Sequence, residues 1–123
     1  MLFRSLTAEN VAKHIQTSLD LMSNRSNPDY RNSIKEAISA VEAAAQIVTG
    51  DSNASLGKAL SLIEKSKPLH PSLKGGLSQL YGWTSNGDGI RHALQDASNL
   101  SLADARLFLV ICSAFANYLL SRG

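Results

Sequence analysis

The chain has 123 residues, of which 44% are hydrophobic and 18% are charged, and its formal net charge is +2. This length and composition predict one globular domain over residues 1–123 and exclude a disordered chain. Lys and Arg are scattered along the sequence, so the pI of about 8.9 is only a weak indication of an anionic partner. The single cysteine, Cys112, excludes a disulfide framework and a thiolate metal site.

Neither end of the sequence indicates a membrane. The segment Met1–Arg4 has no apolar core of the length that a signal peptide needs. The longest apolar run, Leu107–Leu120, is interrupted by Ser113 and Asn117 and is shorter than the roughly 20 residues of a membrane span. We therefore expect a cytoplasmic protein with no membrane partner, and we expect Cys112, inside this run, to be a buried small hydrophobe.

The first predicted helix begins after a capping Thr7 and ends near Asn24. The second begins at Pro28, with Asn27 as its N-cap and Asp29 in its first turn, and it ends at Gly50. The inward face of the first helix comprises Val11, His14, Ile15, Ser18, Leu19 and Met22, with His14 at the edge of the core. The inward face of the second comprises Ile34, Ala37, Ile38, Val41, Ala44, Ala45 and Val48. Its remaining surface includes Lys35, Glu36 and Glu42, and we expect Lys35 and Glu36 to be solvated.

Three more elements follow in chain order. A third helix begins after Ser55 and ends near Glu64, and a fourth begins at Pro71 or Ser72 and ends at Tyr81. The pair Gly75-Gly76 weakens the fourth helix by roughly 1 kcal/mol per glycine, which suggests close packing or a kink there. A short helical turn is predicted for Ile90–Gln95.

The last helix begins at a capping box formed by Ser101 and Asp104 and ends near Leu120. It has two apolar stripes, and a helix apolar on two sides is covered on two sides, at the centre of a bundle or at a dimer interface. One stripe comprises Leu107, Ile111, Ala114 and Tyr118, and the other Phe108, Phe115 and Leu119. The predicted fold is all-α, a compact bundle of four or five helices.

The residues best suited to catalysis are the neighbours Arg91 and His92. Arginine offers a fork of donors for phosphate, and histidine exchanges protons near neutral pH. Together they would suffice for metal-independent RNA cleavage by attack of a 2′-hydroxyl on the adjacent phosphate. Structural roles are the alternative: Arg91 pairs with Glu42 or Glu36, and His92 bonds the backbone of its loop.

Other residues near this pair have plainer interpretations. Asp88 lies between two glycines and fits an Asx turn or N-cap better than a catalytic carboxylate. Tyr81 and Trp83 are expected to be core or lid aromatics, with base stacking as the alternative. Histidines 14, 70 and 92 show no metal-ligand spacing, and no nucleotide-binding or nucleophile motif is present, so we predict no metal and no cofactor.

An ordered series of short motifs gives a further indication. The series resembles the abortive-infection AbiJ N-terminal-domain type of bacterial protein, within the HEPN superfamily of helical domains, over residues 28–120. It consists of Pro28–Glu42, Leu56–Leu60, His70–Lys74, Leu80–Ser85, Gly89–Ala93 and Cys112–Leu119.

The resemblance implies an all-α bundle, a homodimer, and a role in a bacterial defence or stress system with RNA as the substrate or ligand. Its partners would be RNA, a partner protein or an additional domain of the same defence system. Many members of the superfamily are metal-independent endoribonucleases with an Arg-x(4–6)-His motif, whereas here Arg91 and His92 are adjacent. On this hypothesis Arg91 contacts phosphate, His92 is the general acid and base, and Lys35 and Asp88 assist. The alternative is a non-catalytic interaction module that dimerises through the last helix.

Overall fold

The computed structural model describes residues 8–53, 56–66, 68–81 and 100–122. These residues form five α-helices and no strand, which confirms the all-α prediction. The helices are α1 (Ala8–Ser23), α2 (Tyr30–Thr49), α3 (Leu56–Ser66), α4 (Pro71–Tyr81) and α5 (Leu102–Arg122). The helical turn predicted for Ile90–Gln95 lies outside the described residues.

Helix α2 is at the centre of the bundle. It packs against α1, α3 and α5, while α1 also contacts α5 and α3 also contacts α4. The predicted apolar face of α2 is confirmed and is wider than expected, since Ser33 and Ala40 are buried as well. The alanines at positions 37, 40, 44 and 45 have no exposed surface, which lets the neighbouring helices approach α2 closely. Large side chains such as Ile34 and Leu60, also fully buried, each stabilise the fold by about 1.5–3 kcal/mol.

The start of α2 differs from the prediction by two residues. The N-cap is Asp29 and not Asn27: its carboxylate accepts hydrogen bonds from the backbone N–H of Asn32, at 3.1 Å, and from the Asn32 side-chain amide, at 2.7 Å. A charged oxygen satisfies the free N–H groups of a first turn well, and with Asp29 as N-cap, Pro28 lies before the helix. Two other predicted helix ends are confirmed, at Gly50, with φ of 70°, and at the capping box of Ser101 and Asp104. The predicted caps Thr7 and Ser55 lie outside the described residues.

The glycine pair of α4 does not have the expected role. Beyond the helix's own backbone, a Cβ atom added at Gly75 or at Gly76 would meet no atom of the described residues within 4 Å. The helix continues through both residues. The described residues therefore show no close packing at this point, and each glycine lowers the stability of α4.

Helix α5 is covered on one side only within the described part of the chain. Phe108, Phe115 and Leu119 lie in the core with Cys112, whose burial raises the pKa of its thiol to about 12 and makes it an unreactive hydrophobe. On the opposite side, the exposed fraction of Leu107 is 54% and that of Val110 is 61%. One of the two predicted apolar stripes is thus in the core, and much of the other faces outward.

The apolar content of α5 also bears on the predicted absence of a membrane span. The segment Leu102–Ser121 has a mean hydropathy of 1.4 and is long and apolar enough to cross a bilayer, because the helix extends beyond the run that was counted in the sequence. One third of it is buried inside the bundle. Core helices of soluble proteins meet the same criteria, so length and composition are only weak support for a span.

Candidate functional site

The predicted catalytic pair lies outside the described residues. Arg91, His92 and Asp88 all belong to the segment 82–99. Tyr81 is the last residue of α4, and its side chain also lies outside the described part of the structure. The chemical roles assigned to these four residues therefore stay predictions, and the described supporting residues are all on α2.

Glu36 has a partner that the sequence analysis did not foresee. His14 of α1 lies against it, with 3.0 Å between His14 Nδ1 and Glu36 Oε1. Both side chains are partly buried, with 37% and 32% of their surfaces exposed. The expectation that Glu36 is a solvated surface residue was therefore wrong, while the position of His14 at the edge of the core is confirmed. The pair links α1 to α2, and it gives Glu36 a structural role without Arg91.

Glu42 differs from Glu36, because its carboxylate has no hydrogen-bond partner among the described residues. It is partly buried, and this burial raises the pKa of its carboxyl group, while the nearby charge of His14 acts in the opposite direction. None of the described residues forms a hydrogen bond or an ion pair with it. A partly desolvated carboxylate in this state favours a cation as its partner, and the pairing of Glu42 with Arg91 stays a prediction.

Lys35 is exposed on α2, as predicted. Arg31, one turn earlier on the same helix, is exposed too. Neither cation forms an ion pair with a described residue. Both can therefore reach a phosphate in solution, but exposed cations one turn apart on a helix are common, and they carry no specificity.

The histidines do not assemble a metal site in the described part of the chain. His70 is exposed at the start of α4, where its Nδ1 accepts a hydrogen bond of 3.1 Å from the backbone N–H of Ser72. No group of three His, Cys, Asp or Glu side chains among the described residues could hold a metal ion. His70 is thus a local cap of α4, and His14 is a helix-to-helix contact.

A groove runs between α1 and α5. Its volume is about 350 Å³, and small side chains on both helices leave it unfilled. It is lined by Ala8, Val11, Ala12, Ile15, Gln16, Ser113, Ala116, Asn117 and Leu120. The walls are mostly apolar with amides at the rim, a composition that suits apolar side chains of a partner better than a charged ligand.

The outward side of α5 continues from this groove at Asn117. Six exposed residues follow one another at spacings of four and three, which is the period of 3.5 residues that helix pairs use. We call these residues the outer stripe: Ala103, Leu107, Val110, Ala114, Asn117 and Ser121. Only Leu107 and Ala114 belong to a stripe predicted from the sequence, because that stripe continued from Leu107 to Ile111, whereas the exposed residues continue from Leu107 to Val110.

Comparison of the chain with known proteins adds nothing to these observations. No protein-family model, no curated protein and no solved structure matches the chain. The resemblance to the HEPN superfamily therefore rests on the sequence motifs alone.

Proposed function

We infer that this chain is a HEPN-like helical domain of a bacterial defence or stress system that acts on RNA as a homodimer. The observation that carries the proposal is the ordered series of motifs over residues 28–120, which includes Arg91-His92. The all-α bundle is compatible with it. In this proposal the RNA is cut without a metal ion, and no cofactor takes part.

The chemistry assigns separate roles to the two neighbours. His92 removes the proton from a 2′-hydroxyl and returns one to the leaving 5′-oxygen, while Arg91 holds the charge that develops on the phosphate. Lys35 would contribute a phosphate contact from the exposed side of α2. In the proposed homodimer the second copy would bring a second His92, so that one histidine would act as the base and the other as the acid.

Cleavage of total tRNA and rRNA in EDTA tests the proposal. His92→Ala should lower the cleavage rate roughly 10²-fold or more, the usual contribution of a positioned acid or base. His70→Ala is the matched control, because His70 is exposed and its ring accepts a hydrogen bond from the backbone at the start of α4. Cleavage that persists in the His92 variant would come from a contaminant or from other residues and would contradict the assignment.

The second candidate is a non-catalytic module that only associates with other copies. The exposed apolar residues of α5 favour it, since Leu107 and Val110 could form a dimer contact whether or not the protein cuts RNA. Folded wild-type protein that dimerises and cuts no RNA at any concentration would favour this function over the nuclease.

A further inference from the structure

The outer stripe of α5 has the properties of a surface that pairs with itself. We propose that two copies of the chain associate through it, with the two α5 helices antiparallel and the two-fold axis at the level of Cys112. The inference rests on the proposed function for its purpose, because it supplies the homodimer that the nuclease needs. The residues that support it all belong to the described part of the chain.

The sizes of the side chains select the antiparallel arrangement. The stripe is large and apolar toward the start of α5, at Leu107 and Val110, and small or polar toward its end, at Ala114 and Asn117. An axis at the level of residue 112 places Val110 opposite the partner's Ala114 and Leu107 opposite the partner's Asn117. In both of these pairs a large residue faces a smaller one, whereas a parallel pair would crowd the large residues together at one end.

The polar residues agree with the same arrangement. Arg106 is exposed and lies seven residues before Ser113, so it is on the side of α5 that lines the groove, as Asn117 is. Around an antiparallel two-fold axis these sides coincide, and Arg106 approaches the partner's Asn117. The amide oxygen then has a cationic donor, so Asn117 does not remain unpaired beside Leu107.

The area of contact requires the groove as well as the stripe. From Ala103 to Ser121 the helix is about 27 Å long, and at a width of about 10 Å it offers roughly 270 Å². Inclusion of the adjacent face of α1 across the groove about doubles this area. The total approaches the roughly 600 Å² per partner at the lower limit of specific interfaces, so we expect a dimer that dissociates in the micromolar range.

Sedimentation equilibrium across micromolar concentrations tests the surface. Wild type should be a reversible dimer, and Val110→Lys should weaken it roughly tenfold or more, since it places a charge opposite Ala114. Leu73→Lys is the matched control, because Leu73 is an exposed leucine on α4 and not on α5. Circular dichroism checks that both variants fold; both positions are exposed, so unfolding is not expected.

The direction of the helices is tested by Asn117→Asp. Beside the partner's Arg106, the new carboxylate should tighten the dimer about three- to tenfold at low salt. In a parallel pair it would face its own copy and weaken the dimer. Oxidation of a mixture of Val110→Cys and Ala114→Cys proteins should give the mixed disulfide, whereas either protein alone should give little disulfide-linked dimer. Wild type, which has only the buried Cys112, measures the background.

The outcomes separate this inference from the nuclease. A monomeric wild type, or a dimer indifferent to Val110→Lys, overturns the interface whatever the RNA assay shows. A monomer that floats with phosphatidylglycerol vesicles assigns the stripe to a membrane and overturns the interface also. A dimer with the expected variant behaviour and no RNA cleavage supports the interface and counts only against the catalytic function.

Discussion

Ser18 of α1 and Ser33 of α2 bind each other reciprocally in the core. The hydroxyl of each donates to the main-chain carbonyl oxygen of the other, at 2.7 Å in both directions, and the two Oγ atoms are 3.0 Å apart. Neither side chain has any exposed surface. Because helix carbonyls repeat every 1.5 Å, a slip of one helix along the other would break both bonds, so the pair fixes the register of α1 against α2.

Removal of either hydroxyl should destabilise the bundle. We expect Ser18→Ala and Ser33→Ala each to lower the free energy of unfolding by about 1 kcal/mol, the usual net value of a buried hydrogen bond. The double variant should cost less than the sum, because the two bonds share one geometry. Ser39→Ala is the control, because the Ser39 hydroxyl donates to the Lys35 carbonyl oxygen within α2. Urea unfolding should show that this variant lowers the free energy of unfolding by less than about 0.5 kcal/mol. Additive losses would show that the two bonds act independently.

Alanine substitutions at three glycines should change the stability in opposite directions. Gly50 ends α2 with φ of 70°, a conformation that side chains oppose, so Gly50→Ala should cost about 1 kcal/mol. Gly75→Ala and Gly76→Ala should each stabilise by about 0.5–1 kcal/mol, since a Cβ atom there meets open space inside a helix. Thermal unfolding followed by circular dichroism measures all three. A loss of stability at position 75 or 76 would reveal packing that the structure lacks.

The helices were predictable because each has a local signal. The apolar period of α2, the glycine at its end and the Ser101–Asp104 box all act within a few residues of sequence. The choice between Asn27 and Asp29 as N-cap was not decided by sequence, because both residue types cap well and only the turn closed by Asp29 N–H to Leu21 C=O selects one.

Contacts between helices were not predictable in the same way. The pairing of His14 with Glu36 depends on the register of α1 against α2, which Ser18 and Ser33 fix through contacts far apart in sequence. The exposure of Leu107 depends on which neighbours cover α5. For Arg91, the sequence predicts chemistry from residue type alone, and no geometry of the described residues tests it.

The cap at Asp29 predicts a dependence of stability on pH. Hydrogen bonds from the Asn32 side chain, then from its backbone N–H, lower the pKa of Asp29 below its usual 3.8. A lowered pKa in the folded state means that the stabilisation is complete above the unfolded pKa and is lost as pH falls through the folded pKa. Asp29→Ala should cost about 1 kcal/mol at pH 7. The difference from wild type should shrink below about pH 4.

Asp29→Asn provides the control for that experiment. The amide oxygen still accepts the Asn32 backbone N–H, so we expect a loss well below that of alanine and little change between pH 7 and pH 3. Urea unfolding at a series of pH values measures both variants. A constant penalty for Asp29→Ala across this range would mean that the charge of Asp29 contributes nothing to the cap.

Glu42 should behave in the opposite sense. Burial raises the pKa of its carboxyl group, so ionisation opposes folding above the unfolded pKa near 4.5, and this cost is absent at lower pH. Glu42→Gln should therefore stabilise the protein at pH 7, by less than about 1 kcal/mol because the side chain is only partly buried. The gain should vanish near pH 3. If Glu42→Gln instead destabilises at pH 7, the carboxylate has a cationic partner, and Arg91→Ala should then show the same loss.

The neighbours Leu107 and Phe108 of α5, one exposed and one buried, should respond very differently to truncation. Phe108 is 5% exposed, and Phe108→Ala should cost about 3–5 kcal/mol through lost burial and the cavity left behind. Leu107 is 54% exposed, and Leu107→Ala should change the stability of the monomer by less than about 0.5 kcal/mol. Unfolding must be measured well below the dissociation constant, since association adds stability at higher concentration. A large loss for Leu107→Ala at high concentration alone would place Leu107 in the dimer contact, whereas a large loss in the monomer would mean that the outer stripe is covered by the chain itself.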